Sequence, residues 1–352
     1  MGIIYFILVL SVIIIIHELG HLLAAKAFGV YCYEFSLGMG PKLFSIQGKE
    51  TKYTLRLIPI GGYVAMAGEQ EDDMELYPNI DVPRNRSIKG IAHWKRIIVM
   101  IAGVVMNFFL CWIIVSGILL NNGAYAISPK PIVDSVVADS PAEIAGIESG
   151  DIIKKVVFDD GTVIKPKEFS DLTVFTQMYS GKMTYTIDRN GELMDFEVQG
   201  VPNEMGLYIV GIGAPTSEVV KINLLNAGQY SFDYMVSMTQ DIFKSLSRLV
   251  QGNGLDQLSG PVGIYQVTAQ QASQGLPNLL LLIALLSLNV GIFNLLPLPV
   301  LDGGRILLVL VEIVIGKPLN KKFEIGIMTA SMVLLFGLMI FATWQDILRI
   351  FN

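Results

Sequence analysis

Charge is what this sequence has least of. Asp, Glu, Lys and Arg make up 16% of the chain, against roughly a quarter in soluble domains. Cations are the minority, with 25 Lys and Arg against 31 Asp and Glu, and the formal net charge of -6 comes without any basic stripe. That argues against nucleic acid as a partner, because a phosphate backbone is bound through dense Lys and Arg. Cysteine is almost missing: only Cys32 and Cys111 occur, the second inside an apolar run. A disulfide framework is therefore not expected, and neither Cys has a ligand-type neighbour at the short spacing of a thiolate metal site. No Lys or Arg precedes the first apolar run, which is also longer than the core of a secretory signal. We expect it to remain as a first membrane helix, and the sixth residue, Phe6, does not suit a myristoylation signal.

Apolar residues fill the space that charge leaves. They make up 52% of the chain, and with a mean hydropathy of +0.55 they describe an integral membrane protein. Four segments, 3–28, 97–120, 279 to about 301 and 325 to about 341, are long enough to cross about 30 Å of hydrocarbon. Lys42, Lys49, Lys52, Arg56, Arg84 and Arg86 lie between the first two, and Arg305, Lys317, Lys321 and Lys322 follow the third. Both loops fall on one side, which the positive-inside rule makes cytoplasmic. The two termini and residues 123–275 are then external.

Three ionisable residues interrupt the first apolar run. His17, Glu18 and His21 form His-Glu-x-x-His, at a depth where each charge costs about 2.5–3.5 kcal/mol or more, so a functional reading is the default. On a helix, His17 and His21 lie one turn apart on one face and can share a zinc ion. Glu18 then flanks the metal without ligating it, placed to take a proton from the water that zinc acidifies and to pass it to a leaving amine. A catalytic zinc keeps three protein ligands, so one more must come from elsewhere. His93 is the remaining histidine, but its neighbours Trp94, Lys95 and Arg96 mark a membrane boundary. Asp302 ends the stretch Asn294-Leu-Leu-Pro-Leu-Pro-Val-Leu-Asp. There Pro297 and Pro299 forbid a regular helix, which frees the backbone to aim a carboxylate inward. Asp302 is the expected third ligand; the plainer alternative makes it the N-cap of a helix over 306–315.

Between the first two spans, residues 35–46 and 53–64 read as short strands broken by Gly and Pro. Irregular backbone at membrane depth needs protein or a water-filled cavity beside it, so these hairpins are expected to line the active site. Residues 69–81 are acidic and read as a mobile solvated loop. Gly103 and Asn107, one turn apart in the second span, suggest close helix packing with an interhelical hydrogen bond. From Pro131 the pattern changes to strands and turns, with Asn190-Gly191 as a type I′ hairpin signal. Ser140-Pro-Ala-x-x-Ala-Gly-Ile-x-x-Gly-Asp resembles the core of a PDZ domain, with Ser140 capping a short helix. Such a domain either binds a peptide by strand addition or acts as a bulky filter. Residues 232–250 carry the 3.6 period of an amphipathic helix at the membrane surface, and Ser259-Gly-Pro-Val-Gly-Ile reads as a turn.

Nearly the whole chain resembles a bacterial site-2 protease of the regulator of sigma-E protease type, and the single PDZ pattern is similar to Gram-positive members. The likeness rests on His17-Glu18-x-x-His21, Asn294-x-x-Pro297-x-Pro299-x-Leu301-Asp302-Gly303, Gly260-Pro-Val-Gly and the PDZ insertion. Val104 and Arg305 depart from residues common in that family, which often has Pro and His there. The resemblance implies zinc held by His17, His21 and Asp302, with Glu18 as catalytic acid and base. It implies Asn294 as the holder of substrate backbone or oxyanion, and pairing of an unwound substrate with hairpin residues Arg56, Leu57, Ile58, Pro59, Ile60, Gly61 and Gly62.

The expected fold class is a multi-pass α-helical membrane protein with membrane-associated β-hairpins and an inserted α+β PDZ domain. Its expected divisions are residues 1–123, a PDZ domain over 124–202, an amphipathic region over 203–275, and residues 276–352. The expected function is zinc-dependent intramembrane cleavage of single-span membrane proteins such as anti-sigma factors, with signal-peptide remnants as further substrates. The setting is the lipid of a bacterial cytoplasmic membrane. The alternatives are a vestigial PDZ-bearing adaptor, which would have no reason to keep Glu18, and a metal transporter, which would need more polar residues inside the bundle.

Overall fold

The computed structural model describes residues 2–69, 77, 80–177, 179–203, 207–250 and 259–351. In chain order, helix α1 (Gly2–Ala27) is followed by strands β1 (Cys32–Gln47) and β2 (Lys52–Met66) and helix α2 (His93–Asn122). Next come β3 (Ala124–Ile127), β4 (Ser135–Val136), α3 (Pro141–Ala145), β5 (Ile152–Phe158), β6 (Val163–Ile164) and α4 (Phe169–Thr176). After these lie β7 (Lys182–Arg189), β8 (Glu192–Gln199), β9 (Val201–Pro202), β10 (Tyr208–Ile209), β11 (Ile212–Gly213) and β12 (Glu218–Lys221). Five helices close the chain: α5 (Ala227–Val250), α6 (Pro261–Ser273), α7 (Leu276–Asn294), α8 (Asp302–Ile315) and α9 (Lys321–Phe351). The chain divides into two compact units, residues 122–223 and the remainder.

In the larger unit α1, α2, α7 and α9 are each long and apolar enough to cross a membrane, so the protein is membrane-integral. Small residues set how closely they pack. At Gly20 of α1 an added Cβ would sit 2.3 Å from the Ala102 carbonyl oxygen of α2, so only glycine admits this crossing. Val9 and Ile13 of α1 pack on Leu279 and Ile283 of α7.

The third apolar run ends as a helix at Asn294 rather than continuing to 301, because the two prolines cannot extend it. Residues 295–301 fold back in tight turns over the start of α8: a Cβ on Gly303 would lie 2.2 Å from the Leu295 carbonyl oxygen, and one on Gly304 2.1 Å from that of Leu298. The double glycine thus admits the turn that sets Asp302 in place. The Ser259–Ile264 turn is corrected to a helix start. Pro261 occupies the first turn of α6, where its missing N–H is no loss and its fixed φ favours helix. The buried Asp346 of α9 accepts from the Gly263 N–H at 2.7 Å, an anion at a helix N-terminus. Nothing in the polar composition of α6 signals it as a helix. Most of the acidic stretch 69–81 lies outside the described residues. Two of its described members are held: Glu69 pairs with Arg305, and Tyr77 stacks on Tyr33 at 4.3 Å.

The smaller unit carries the four-stranded sheet β6-β5-β7-β8 and three two-stranded pairs, β3 with β12, β4 with β11 and β9 with β10. It runs to Asn223, with β10 to β12 returning to pair with earlier strands. Its core is built on Val156, Met183, Tyr185 and Ile187. Asn190 and Gly191 have φ of 55° and 93°, the two positive values a type I′ turn requires. Ser140 caps α3 by accepting from the Glu143 N–H, and Gly146 ends it in the left-handed region.

The buried Asp151 is clamped by Arg189, which donates to it at 2.7 and 2.8 Å, and by the Glu148 N–H at 2.9 Å. Burial pushes this carboxyl up, yet Arg189 and the Glu148 amide together hold it below the usual range. A depressed carboxyl stabilises the fold above its unfolded pKa of about 3.9, and that contribution is lost as pH falls through the lower folded value. Asp151→Asn should therefore destabilise this unit by roughly 1–3 kcal/mol at pH 7. The deficit relative to wild type should shrink below about pH 3.9, as read by protease protection of residues 122–223 in the whole chain.

Candidate metal and active site

Helix α1 brings His17 and His21 to one face, and both are buried. Glycine on the neighbouring helix makes this possible: a Cβ on Gly103 would lie 2.4 Å from His21 Nε2 and 2.8 Å from His17 Cε1. The rings occupy the space that a side chain would take. Asp302 opens α8 as its first residue, and Leu301 is the N-cap, so the carboxylate is free to point elsewhere. It points at the histidines. Asp302 Oδ2 lies 3.2 Å from His17 Nε2 and 3.4 Å from His21 Nε2, and the two Nε2 atoms are 3.2 Å apart.

Those three separations test whether zinc fits. Donor atoms about 2.0–2.1 Å from one centre at tetrahedral angles are about 3.3 Å from each other, so this triangle matches one face of a zinc tetrahedron. The surroundings of His21 agree. His21 Nδ1 lies 2.8 Å from the Val99 carbonyl oxygen, which can only accept, so Nδ1 carries the proton and Nε2 of a neutral ring presents its lone pair to the centre. Among the described residues this is the one group of three or more His, Cys, Asp and Glu able to hold a metal. His93, at the exposed start of α2, is not part of it, and Cys32 and Cys111 are free and buried elsewhere.

A cavity of about 360 Å³ opens on this triangle, lined by Glu18, Asn294, Gly62, Tyr63, Val64 and Arg305 among others. Glu18 stands outside the donor group, and a Cβ on Gly62 would lie 3.4 Å from its Cγ, so hairpin and carboxylate are in near contact. Asn294, the last residue of α7, reaches the same space. Of the hairpin residues expected at the substrate, Gly62 lines the cavity, whereas Arg56, Leu57, Ile58 and Gly61 are not among its lining residues; the side chains of Pro59 and Ile60 lie outside what the structure describes. The reason lies in the register. Residues 34–37 of β1 are matched both with 52–55 and with 62–65 of β2, so they lie between two arms of a strand bent at Gly61, whose φ is 87°. Among the described residues of β2, those of the second arm front the cavity. Arg56, on the first arm, spends its donors on Ser36, Gly40, Glu34 and Tyr63.

Two ion pairs along the cavity wall have no counterpart in the sequence reading: Arg305 with Glu69, and Arg96 with Glu312 at 3.0 Å. Arg305 was legible only as a departure from the family pattern, and Glu69 only as the start of a charge run. The carbonyl of Val99 is backbone and leaves no mark in sequence.

Imidazole and carboxylate donors converging within an apolar bundle, beside a second carboxylate that is not a donor, define a membrane-integral metallopeptidase. The chain belongs to peptidase family M50, the site-2 proteases, whose profile matches residues 5–338. It is similar to the regulator of sigma-W protease RasP of Bacillus subtilis, 31% identical over 427 aligned residues and 99% of each chain. It is likewise similar to the zinc metalloprotease RasP of Shouchella clausii, 31% identical over 425 residues and 99% of each chain. A Clostridium perfringens relative, its name also referring to a zinc metalloprotease, is 37% identical over 351 residues and 99% of each chain. The protein is thus a zinc-dependent protease of the membrane.

Proposed function

We propose that this protease cuts single-span membrane proteins of the anti-sigma factor type within their spans, after another protease has removed their external portion. The observation that carries the reading is the His17, His21 and Asp302 triangle, opening on a cavity that Glu18 and a strand edge share. His17, His21 and Asp302 hold zinc. When bound, zinc polarises the scissile carbonyl and brings the pKa of water from about 15.7 to about 7. Glu18 takes the proton of the attacking water and delivers it to the departing amine nitrogen. Asn294 holds the substrate backbone or the developing oxyanion through its amide N–H groups.

The substrate must arrive unwound, since a helix shields each peptide carbonyl with its own hydrogen bonds and side chains. Each backbone group freed in lipid costs several kcal/mol unless it is paired again, and the 62–66 arm offers the edge for that pairing. Gly62 is a tight point of this edge. A Cβ there would lie 2.9 Å from the Ser36 carbonyl oxygen and 3.1 Å from Ile14 Cγ2. Gly62→Ala should slow cleavage roughly ten- to hundredfold by shifting the edge against Glu18, with zinc content unchanged. Leu57→Ala, on the other arm, should stay near wild type. Equal effects of the two changes would remove the edge from the account.

Residues 122–223 form a PDZ-type domain on the external face of a bacterial cytoplasmic membrane, an orientation supported by the excess of Lys and Arg in the loops on the other side. There it acts as a filter or dock for substrates. Signal-peptide remnants satisfy the same requirement, one short span without an external domain. The test is reconstitution in vesicles with matched substrates, intact or trimmed externally. Cleavage of the trimmed form alone is expected, and equal cleavage of both would refute the filter.

A further inference from the structure

The two histidines meet their surroundings differently, and the difference points to one residue on α2. His21 donates from Nδ1 to the Val99 carbonyl. His17 Nδ1 instead lies 3.2 Å from the side-chain amide nitrogen of Asn107, while Asn107 Oδ1 is buried without a partner among the described residues. A nitrogen donating to Nδ1 would place the ring proton of a neutral His17 on Nε2, the atom aimed at His21 Nε2 and Asp302 Oδ2. That proton would occupy the metal position. Amide nitrogen and oxygen are nearly identical in shape, so hydrogen-bond chemistry decides their assignment.

We propose that Asn107 is a positioning residue whose carbonyl end faces His17 and accepts from Nδ1–H, leaving Nε2 as a lone pair for zinc. The inference rests on the zinc-site reading above. Val99, Gly103 and Asn107 follow one another at intervals of four along α2, so they form one stripe. That stripe supplies an acceptor for His21, room for both rings and an acceptor for His17. Asn107 is itself fixed from behind. It is fully buried, its backbone carbonyl accepts from Ser287 Oγ of α7 at 3.0 Å, and its Cβ lies 3.5 Å from where a Cβ on Gly291 would be. A group anchored this firmly can set the angle of the ring it touches.

The test is zinc affinity of the full chain in detergent, by chelator competition, for wild type, Asn107→Asp, Asn107→Leu and Asn107→Ala. A carboxylate still accepts from Nδ1–H, so the Asp variant should hold zinc within a few-fold of wild type. Leu and Ala cannot accept and should weaken zinc about 10- to 100-fold. A packing role predicts the reverse order, because Leu fills the space whereas a buried carboxylate disturbs it. An Asp variant that binds zinc no better than Leu or Ala overturns the proposal, and Ala keeps the comparison open if Leu does not fold. Asp302→Ala serves as the control: if it keeps wild-type affinity, the zinc-site reading itself fails. If only the Asn107 series is flat, the positioning role alone is lost.

Discussion

Purified Glu18→Gln protein should carry the wild-type complement of zinc and cleave at least about 10²-fold more slowly. The change keeps side-chain shape, so the contact with the hairpin at Gly62 is preserved. It also leaves the donors untouched, because the three atoms that face each other belong to His17, His21 and Asp302. What disappears is a group that can accept a proton. A side-chain amide is not a base, and general acid–base catalysis contributes about 10²–10⁴-fold. Full activity at full zinc content would mean that the proton travels by another route, and Glu18 would have no catalytic role.

Gly103→Ala should have an effect of the same order through the metal rather than the proton. One methyl group would sit 2.4 Å from His21 Nε2 and 2.8 Å from carbons of both rings, closer than carbon tolerates. Retreat of helix α2 would instead pull apart the close crossing of Gly20 on the Ala102 backbone. One ring must turn away, and zinc affinity should fall by about 100-fold or more, since displacing a ligand outweighs the 10–100-fold cost of losing an outer-shell partner. Gly117→Ala is the matched control on the same helix. Nothing lies within 4 Å of a Cβ there, and alanine favours helix over glycine by about 1 kcal/mol, so zinc binding should not change.

The grouping of donor side chains was legible where it rests on spacing. His17 and His21 are one helical turn apart, and the cost of putting them in hydrocarbon asks for a reason. Asp302 was legible through the prolines before it, although what seats its carboxylate is the glycine pair after it, which lets residues 295–301 fold onto α8. The hairpin was legible as strands next to the site, but not which arm faces the cavity. That depends on the bend at Gly61 and on β1 taking both arms of β2 as neighbours, a long-range pairing without local signature. Gly103 and Asn107 were recognisable as a packing pair. Their contact with the two imidazoles depends on how α1 and α2 cross, which spacing along one helix does not specify.

The relatives differ in length from one another. The alignment with the Bacillus subtilis protease runs to 427 positions, whereas this chain has 352 residues, so that relative has a stretch without counterpart here. The alignment with the Clostridium perfringens relative, at 351 positions, needs no such stretch.

The central claim is that zinc sits on His17, His21 and Asp302, and X-ray absorption at the zinc edge of the purified protein tests it most directly. The expected spectrum contains only nitrogen and oxygen neighbours at about 2.0–2.2 Å, four in all, with the multiple-scattering signature of two imidazoles. It should lose one imidazole in His21→Ala. A sulfur shell at about 2.3 Å, the distance of a thiolate ligand, would place the metal on Cys32 or Cys111 and contradict the account.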